Sequence, residues 1–194
     1  MKNARQSLGK AIAAVALALL MVVQCAPAVA LARQDGDQAV LTIQSSKSVV
    51  KGKGWKLTLP KYWRGKVKIT KSGTTTYITS KQGKTLAYIS AVDSGLVKTL
   101  TKSGYSHYVG KKVRLKNGSK AKIYQPAQGT DSFFAKIGKG KYIMVSAWDP
   151  RGGDGASSST LKHMAKMQSF GKSSKYTNST PVTCLKGIAK RLSY

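Results

Sequence analysis

Lysines alternate with apolar residues in Val67-Lys68-Ile69 and Lys120-Ala121-Lys122-Ile123, a spacing that sets the cations on the solvent face of a strand. With their neighbours they form a candidate polyanion-binding set: Lys66, Lys68, Lys71, Lys111, Lys112, Arg114, Lys120 and Lys122. The whole chain carries 34 lysines and arginines against six acids, a formal net charge of +28. Most of these cations can have no internal partner, so they face solvent or an external anion. They are mostly lysine, a hydrated point charge suited to diffuse attraction to phosphate rather than to bidentate reading of a sequence. Tyr62, Trp63, Tyr105 and Tyr108 lie among these cations and are candidate stacking aromatics for sugars or bases. A bland alternative stands beside each reading: a solvated lysine surface, and aromatics that belong to the core and its rim.

Catalytic chemistry has few residues to draw on. All six acids are aspartates (Asp35, Asp37, Asp93, Asp131, Asp149 and Asp154), and no two have a sequence context that pairs them. His107 and His163 are the only histidines, and no metal-ligand spacing connects them to Cys25 or Cys184. Asp149-Pro150-Arg151-Gly152-Gly153-Asp154-Gly155 lacks the alternating ligands of a calcium loop and reads as a turn. The expectation is a non-enzymatic protein with no cofactor and no metal.

Lys2, Arg5 and Lys10 precede the apolar run Ala11–Val23, thirteen residues long. A bilayer-spanning helix needs about 20. Pro27 follows, and both Ala28-Val29-Ala30 and Ala30-Leu31-Ala32 fit the small-x-small form that signal peptidase cleaves. Residues 1–32 are therefore read as a signal peptide cleaved near Ala30 or Ala32, which makes the protein secreted or cell-envelope associated. An uncleaved anchor over Ala11–Ala32 is the alternative. A lipid anchor on Cys25 is rejected, because Gln24 stands where a small residue is required. Cleavage leaves Cys184 as the sole cysteine, so no intramolecular disulfide supports the domain.

After a polar leader over residues 33–38, residues 39–170 read as one α+β domain. Strands are expected at Val40–Ile43, Trp55–Leu59, Val67–Ile69, Thr75–Thr79, Leu86–Val92, Lys111–Leu115, Ala121–Tyr124, Phe133–Ile137 and Tyr142–Trp148. Leu86–Val92 is the most continuous apolar run and the candidate central strand. Asn117-Gly118 is a strong hairpin signal. Leu96, Val97 and Leu100 predict a short helix, with Ser94 at its start and Gly104 at its end. Leu161, Met164, Ala165 and Gln168 predict a longer one, capped by Ser157, Ser158 or Ser159. Residues 171–194 read as a flexible linker and a short, weakly attached amphipathic segment bearing Leu185, Ile188, Ala189 and Leu192. The expected architecture is an antiparallel β-sheet with a C-terminal helix packed on one face.

Three resemblances add to this. The stretch Trp55-Lys56-Leu57-Thr58-Leu59-Pro60-Lys61-Tyr62-Trp63-Arg64-Gly65-Lys66-Val67, the Tyr142–Trp148 strand and the final helix resemble a group of small exported actinobacterial proteins. A strand ending in Leu-Pro and followed by Trp is also similar to the Mog1/PsbP-like α+β fold. Neither group has one common activity, so these resemblances bear on fold and compartment. Thr180-Pro181-Val182-Thr183-Cys184 resembles the sortase Thr-Leu-x-Thr-Cys strand, which would give a Cys-dependent transpeptidase using His107 and Arg191. Against it, Pro181 replaces leucine and only ten residues follow Cys184. The leading expectation is an exported binding protein whose partners are anionic cell-wall polymers (teichoic acid or another anionic glycan) or an anionic membrane surface. Sequence-blind binding of nucleic acid would follow from the same charge. The alternative is a structural or protein-interaction module with incidental charge.

Overall fold

The period-two pattern of Trp55-Lys56-Leu57-Thr58 is realised as a strand with Trp55 and Leu57 buried and Lys56 and Thr58 exposed. The same alternation recurs through the computed structural model, which describes residues 41–44, 48–102, 105–126, 130–152 and 156–194. The chain divides into Met1–Asp37 and a second unit, Gln38–Tyr194, to which all that follows belongs. The signal-peptide and leader readings lie outside the described residues, as do Gly104 and Asp154. No helix among the described residues is long and apolar enough to cross a membrane.

The fold is mixed α+β, and all its strand pairs are antiparallel. Strands β1 (Leu41–Gln44), β2 (Val49–Gly52) and β3 (Trp55–Thr58) precede a 3-10 turn over Lys61–Trp63. Then come β4 (Val67–Ser72), β5 (Thr75–Ser80), β6 (Thr85–Asp93) and helix α1 (Ser94–Thr101). Strands β7 (Ser106–Arg114), β8 (Lys120–Pro126), β9 (Thr130–Gly138) and β10 (Lys141–Trp148) follow, then α2 (Ser158–Gln168), α3 (Thr180–Ala189) and β11 (Leu192–Ser193). Eight strands form one sheet in the order β1-β4-β5-β6-β10-β9-β8-β7; a second, three-stranded sheet has the order β11-β3-β2. The chain leaves the sheet centre after β6, crosses through α1 to the far edge at β7, and returns strand by strand to pair β10 with β6. Both long apolar strands therefore end up central, as expected for β6. Asn117-Gly118 joins β7 to β8, with Gly118 at φ +87, a conformation that favours glycine.

One face of the large sheet builds the core. Ile69, Ile78, Ile89, Val145, Phe133 and Ile123 are buried there and share a single hydrophobic cluster with Leu57, Trp63, Met164, Cys184, Leu185 and Ile188. Helix α2 starts at Ser157, whose hydroxyl accepts from the Thr160 N–H. Its buried Gln168 donates from Nε2 to the carbonyls of Leu86 and Trp148, tying the helix to the ends of β6 and β10. Helix α1 is capped by Asp93, not Ser94: the aspartate accepts from the Leu96 N–H at 2.7 Å, one residue before the expected cap.

The C-terminal segment departs most from its sequence reading. The segment expected to be weakly attached is packed into the core from Thr180 to Leu192. Thr180, Pro181, Val182, Cys184, Leu185, Ile188 and Ala189 are all buried in α3, and Leu192 pairs with Leu57 to add β11 to the second sheet. Residues 171–179 before α3 are mostly exposed, and Ser169, Ser173 and Thr180 satisfy backbone groups there through side-chain hydrogen bonds.

Candidate anion-binding groove

The β7–β8 hairpin brings four of the expected cations together. Lys112 stands directly opposite Lys122, and Arg114 opposite Lys120, with Val113 and Ala121 paired between them. Val113 and Ala121 are buried while all four cations are exposed. Like charges facing each other across a strand pair destabilise by about 0.2–1 kcal/mol each, so the hairpin bears a local repulsion that an external anion would relieve. Lys111 lies in the irregular stretch between Tyr108 and Lys112 where the register shifts, and is also exposed. Among the described residues, the single ion pair is Arg151 with Asp149.

The remaining expected cations are elsewhere. Lys68 belongs to β4, separated from β8 by β5, β6, β10 and β9. That is about 24 Å along the sheet at the usual strand spacing. Alternation also puts Lys71 on the same face as the buried Ile69, opposite to Lys68, and Lys71 is only half-exposed. Lys66 sits in the turn before β4, its ammonium 3.7 Å from the centroid of the Tyr62 ring. The expected lysine lawn is thus two separate groups. Between them the sheet face carries hydroxyls and rings: Thr75 bonds Ser90, Ser132 bonds Ser146 at 2.7 Å, and Tyr77 lies against Tyr88.

Beside the hairpin lies a groove of about 440 Å³ that sequence reading missed. Its walls come from Val97 and Thr101 of α1, Tyr124 of β8, Phe134 of β9, Tyr142 of β10 and the terminal Tyr194. Lys120, Lys122 and Lys136 line it as well, and no acid among the described residues does. The rings are coupled: Tyr124 lies 6.2 Å from both Tyr108 and Phe134, and the Lys122 ammonium is 5.4 Å from the Tyr108 ring. Asn117 donates to the Tyr194 hydroxyl, which brings the chain end to the hairpin turn. Alternation within β8 and β9 was a usable signal for Tyr124, Phe134 and Lys136. Nothing local could have indicated α1 or Tyr194.

Of the expected stacking aromatics, Tyr105 and Tyr108 are 43% and 42% exposed, enough to present a ring face. Trp63 is fully buried: its indole N–H donates to the Met167 carbonyl at 2.7 Å, and its ring packs 5.1 Å from Phe170. It is a core residue and cannot stack on a ligand. Tyr62 is half-buried beneath Lys66.

The sortase-like alternative finds no support at Cys184. Cys184 lies on helix α3 rather than a strand, is fully buried, and has its thiol pushed far up by burial. An inert protonated thiol follows. Arg191 donates to the Gly187 carbonyl at 2.8 Å. In the purified chain from Gln38 onward, which lacks Cys25, a chromogenic disulfide reagent should leave Cys184 unmodified in the native state and titrate one thiol after denaturation. Rapid native reaction would show the helix to be mobile.

Two aspartates that seemed unrelated in sequence do meet. Asp131 pairs in register with Ala147, two residues before Asp149, and both acids are buried at one end of the core face. Asp149 is clamped by Arg151 through Nε at 3.0 Å and Nη2 at 2.6 Å, and Arg151 also donates to Asn178. Burial works against its charge, but the Arg151 hydrogen bonds hold its carboxyl below the usual range. Asp131 has no such clamp. Its Oδ1 has no hydrogen-bond partner among the described residues, and burial, reinforced by the Asp149 charge, pushes its pKa up to about 6. Among the described residues no three His, Cys, Asp or Glu side chains group in a way that could hold a metal. Comparison with protein-family models, with curated proteins and with solved structures gave no match.

Proposed function

We propose that this is an exported, non-enzymatic protein of the cell envelope that binds anionic polymers through the β7–β8 hairpin and the groove beside it. The observation that carries the reading is the facing of Lys112 with Lys122 and of Arg114 with Lys120. The groove adjoins them and is lined by lysine without any acid. Lysines on flexible stems suit a polymer whose phosphates or carboxylates recur at irregular positions, such as teichoic acid or an anionic glycan, and anionic lipid headgroups offer the same charge. The exposed Tyr105 and Tyr108 and the groove rings add apolar contact for sugar faces. Nucleic acid would bind by the same charge, without sequence preference.

The test is binding of the purified chain from Gln38 onward to Gram-positive cell walls, with and without teichoic acid, across a salt series. Binding should require the polymer and fall steeply with salt. Replacing Lys112, Arg114, Lys120 and Lys122 together by Ser should flatten the log–log salt slope by roughly 2–3, at about 0.7 per cation removed. Unchanged binding by that variant would move the contact away from the hairpin. No binding at low salt would overturn the reading and leave the charge incidental to a protein-interaction module.

A further inference from the structure

A second groove, sharing no residue with the first, lies where the 3-10 turn meets the C-terminal segment. It encloses about 410 Å³, and Lys61, Arg64, Lys172 and Arg191 surround a floor that includes Tyr62 and Phe170. No acid lines it. The buried Leu59 and Pro60 and the exposed Thr58 complete the lining.

The two rings are held in place rather than loosely exposed. Phe170 sits at φ +58, the only positive φ outside glycine among the described residues. A bulky side chain there costs about 1–3 kcal/mol. The strain arises because α2 ends in a tight closure: the Phe170 N–H donates to Met167 at 3.2 Å and the Gly171 N–H to Lys166 at 2.7 Å. The closure aims the Phe170 ring at Trp63 on one side and at the backbone of Gly187 on another, where a Cβ would overlap it. Tyr62 rests in the same way on Gly171, at φ +86. Arg191 is oriented by its bond to the Gly187 carbonyl and lies with its guanidinium carbon 5.9 Å from the Phe170 ring centroid, which leaves other N–H groups of its fork unassigned.

We infer that this groove is a second anion site, taking a phosphate carried on an apolar body, the chemistry of an anionic phospholipid. Four cations without a lining acid select the charge. Arg64 and Arg191 provide planar guanidinium forks that match a phosphate in a way lysine does not. The two rings with Leu59 and Pro60 select an attached chain or glycerol backbone over a bare ion. The hairpin, by contrast, offers three lysines and a single guanidinium, that of Arg114, at its facing positions.

The probe is dihexanoyl phosphatidic acid below its micelle concentration, titrated into the same purified chain and followed by calorimetry and by NMR of the tyrosine and phenylalanine rings. Inorganic phosphate and dihexanoyl phosphatidylcholine serve as charge-only and chain-only arms. One molecule should bind, about tenfold or more tighter than either control, with Tyr62 and Phe170 resonances shifting. Arg64→Ser and Lys172→Ser should each weaken it about five- to tenfold, in line with loss of one charge-assisted contact. Lys120→Ser/Lys122→Ser should leave the Tyr62 and Phe170 shifts unchanged, because those lysines line the other groove. Equal binding of phosphate, equal binding of the phosphatidylcholine, or equal weakening by the Lys120/Lys122 pair would each overturn the assignment. None of these results bears on the cell-wall experiment, so the two readings fail separately.

Discussion

A chain ending after Phe170 should lose its cooperative thermal transition, although the deleted residues read as a linker and a small tail. Truncation removes Val182, Cys184, Leu185, Ile188, Ala189 and Leu192, all part of the one hydrophobic cluster. Beneath them Leu57, Phe133 and Val145 are fully buried and would face water. Exposing even a few such side chains forfeits about 1.5–3 kcal/mol each, against a total stability for a domain of about 5–15 kcal/mol. The deletion also strips β11 from β3, and with it the Thr58 N–H bond to the Arg191 carbonyl. A milder version keeps the chain whole: Leu185→Ala should lower stability by about 2–5 kcal/mol, the range for a buried leucine cut to alanine. Differential scanning calorimetry of both variants decides the matter. A truncated chain that melts cooperatively near the wild-type temperature would mean that α3 packs on a core already complete without it.

Asp131→Asn should stabilise the protein at pH 8 and flatten its stability between about pH 4 and pH 6. Asp131 has a folded-state pKa of about 6, above its ordinary value of 3.8. The folded chain therefore holds a proton across this window that the unfolded chain has released, so stability falls as pH rises through it. The shift corresponds to at most about 3 kcal/mol of penalty above pH 6, at 1.36 kcal/mol per unit. Burial is the main cause and the Asp149 charge adds to it, while His107, Arg151 and Gln125 pull the other way without compensating. Asparagine keeps the shape and removes the charge. Asp149 works in the opposite sense: its pKa is lowered, so its contribution is lost as pH falls through its folded value. Urea titrations from pH 4 to pH 8 should show the variant gaining about 1–3 kcal/mol at pH 8 and little at pH 4. A variant less stable than wild type at pH 8 would show that the Asp131 carboxylate is paired in the folded state and that its burial is not a liability.

Much of the fold was legible because one face of the large sheet is core. Alternation fixes which side chains of Trp55–Thr58 and Lys120–Ile123 turn inward, and the resulting burial follows it. Asn117-Gly118 placed a hairpin correctly, since only a few residue types tolerate the backbone that tight turns require. The periodicity of Met164, Ala165 and Gln168 likewise marked the buried face of α2. The cap of α1 was off by one residue because Asp93 and Ser94 are both competent acceptors, and the strand end chooses between them.

What sequence by itself determined is the inward and outward sense of each strand, the main turns, the helix faces and the excess of positive charge, all set by neighbours within a few residues. What only the tertiary structure decided is which faces meet. The crossover through α1 put β7 at the far edge, and so parted Lys68 from Lys120 and Lys122. Register across β9 and β10 brought Asp131 to Asp149, eighteen positions apart and without a shared motif. The apolar stripe of α3 is plain in the sequence, but its attachment depends on a vacancy over β9 and β10 that no local pattern records. Periodicity reports how a residue lies on its own element. Burial, pKa and the composition of a groove depend on residues far along the chain, and those are fixed only once the strands have found their order.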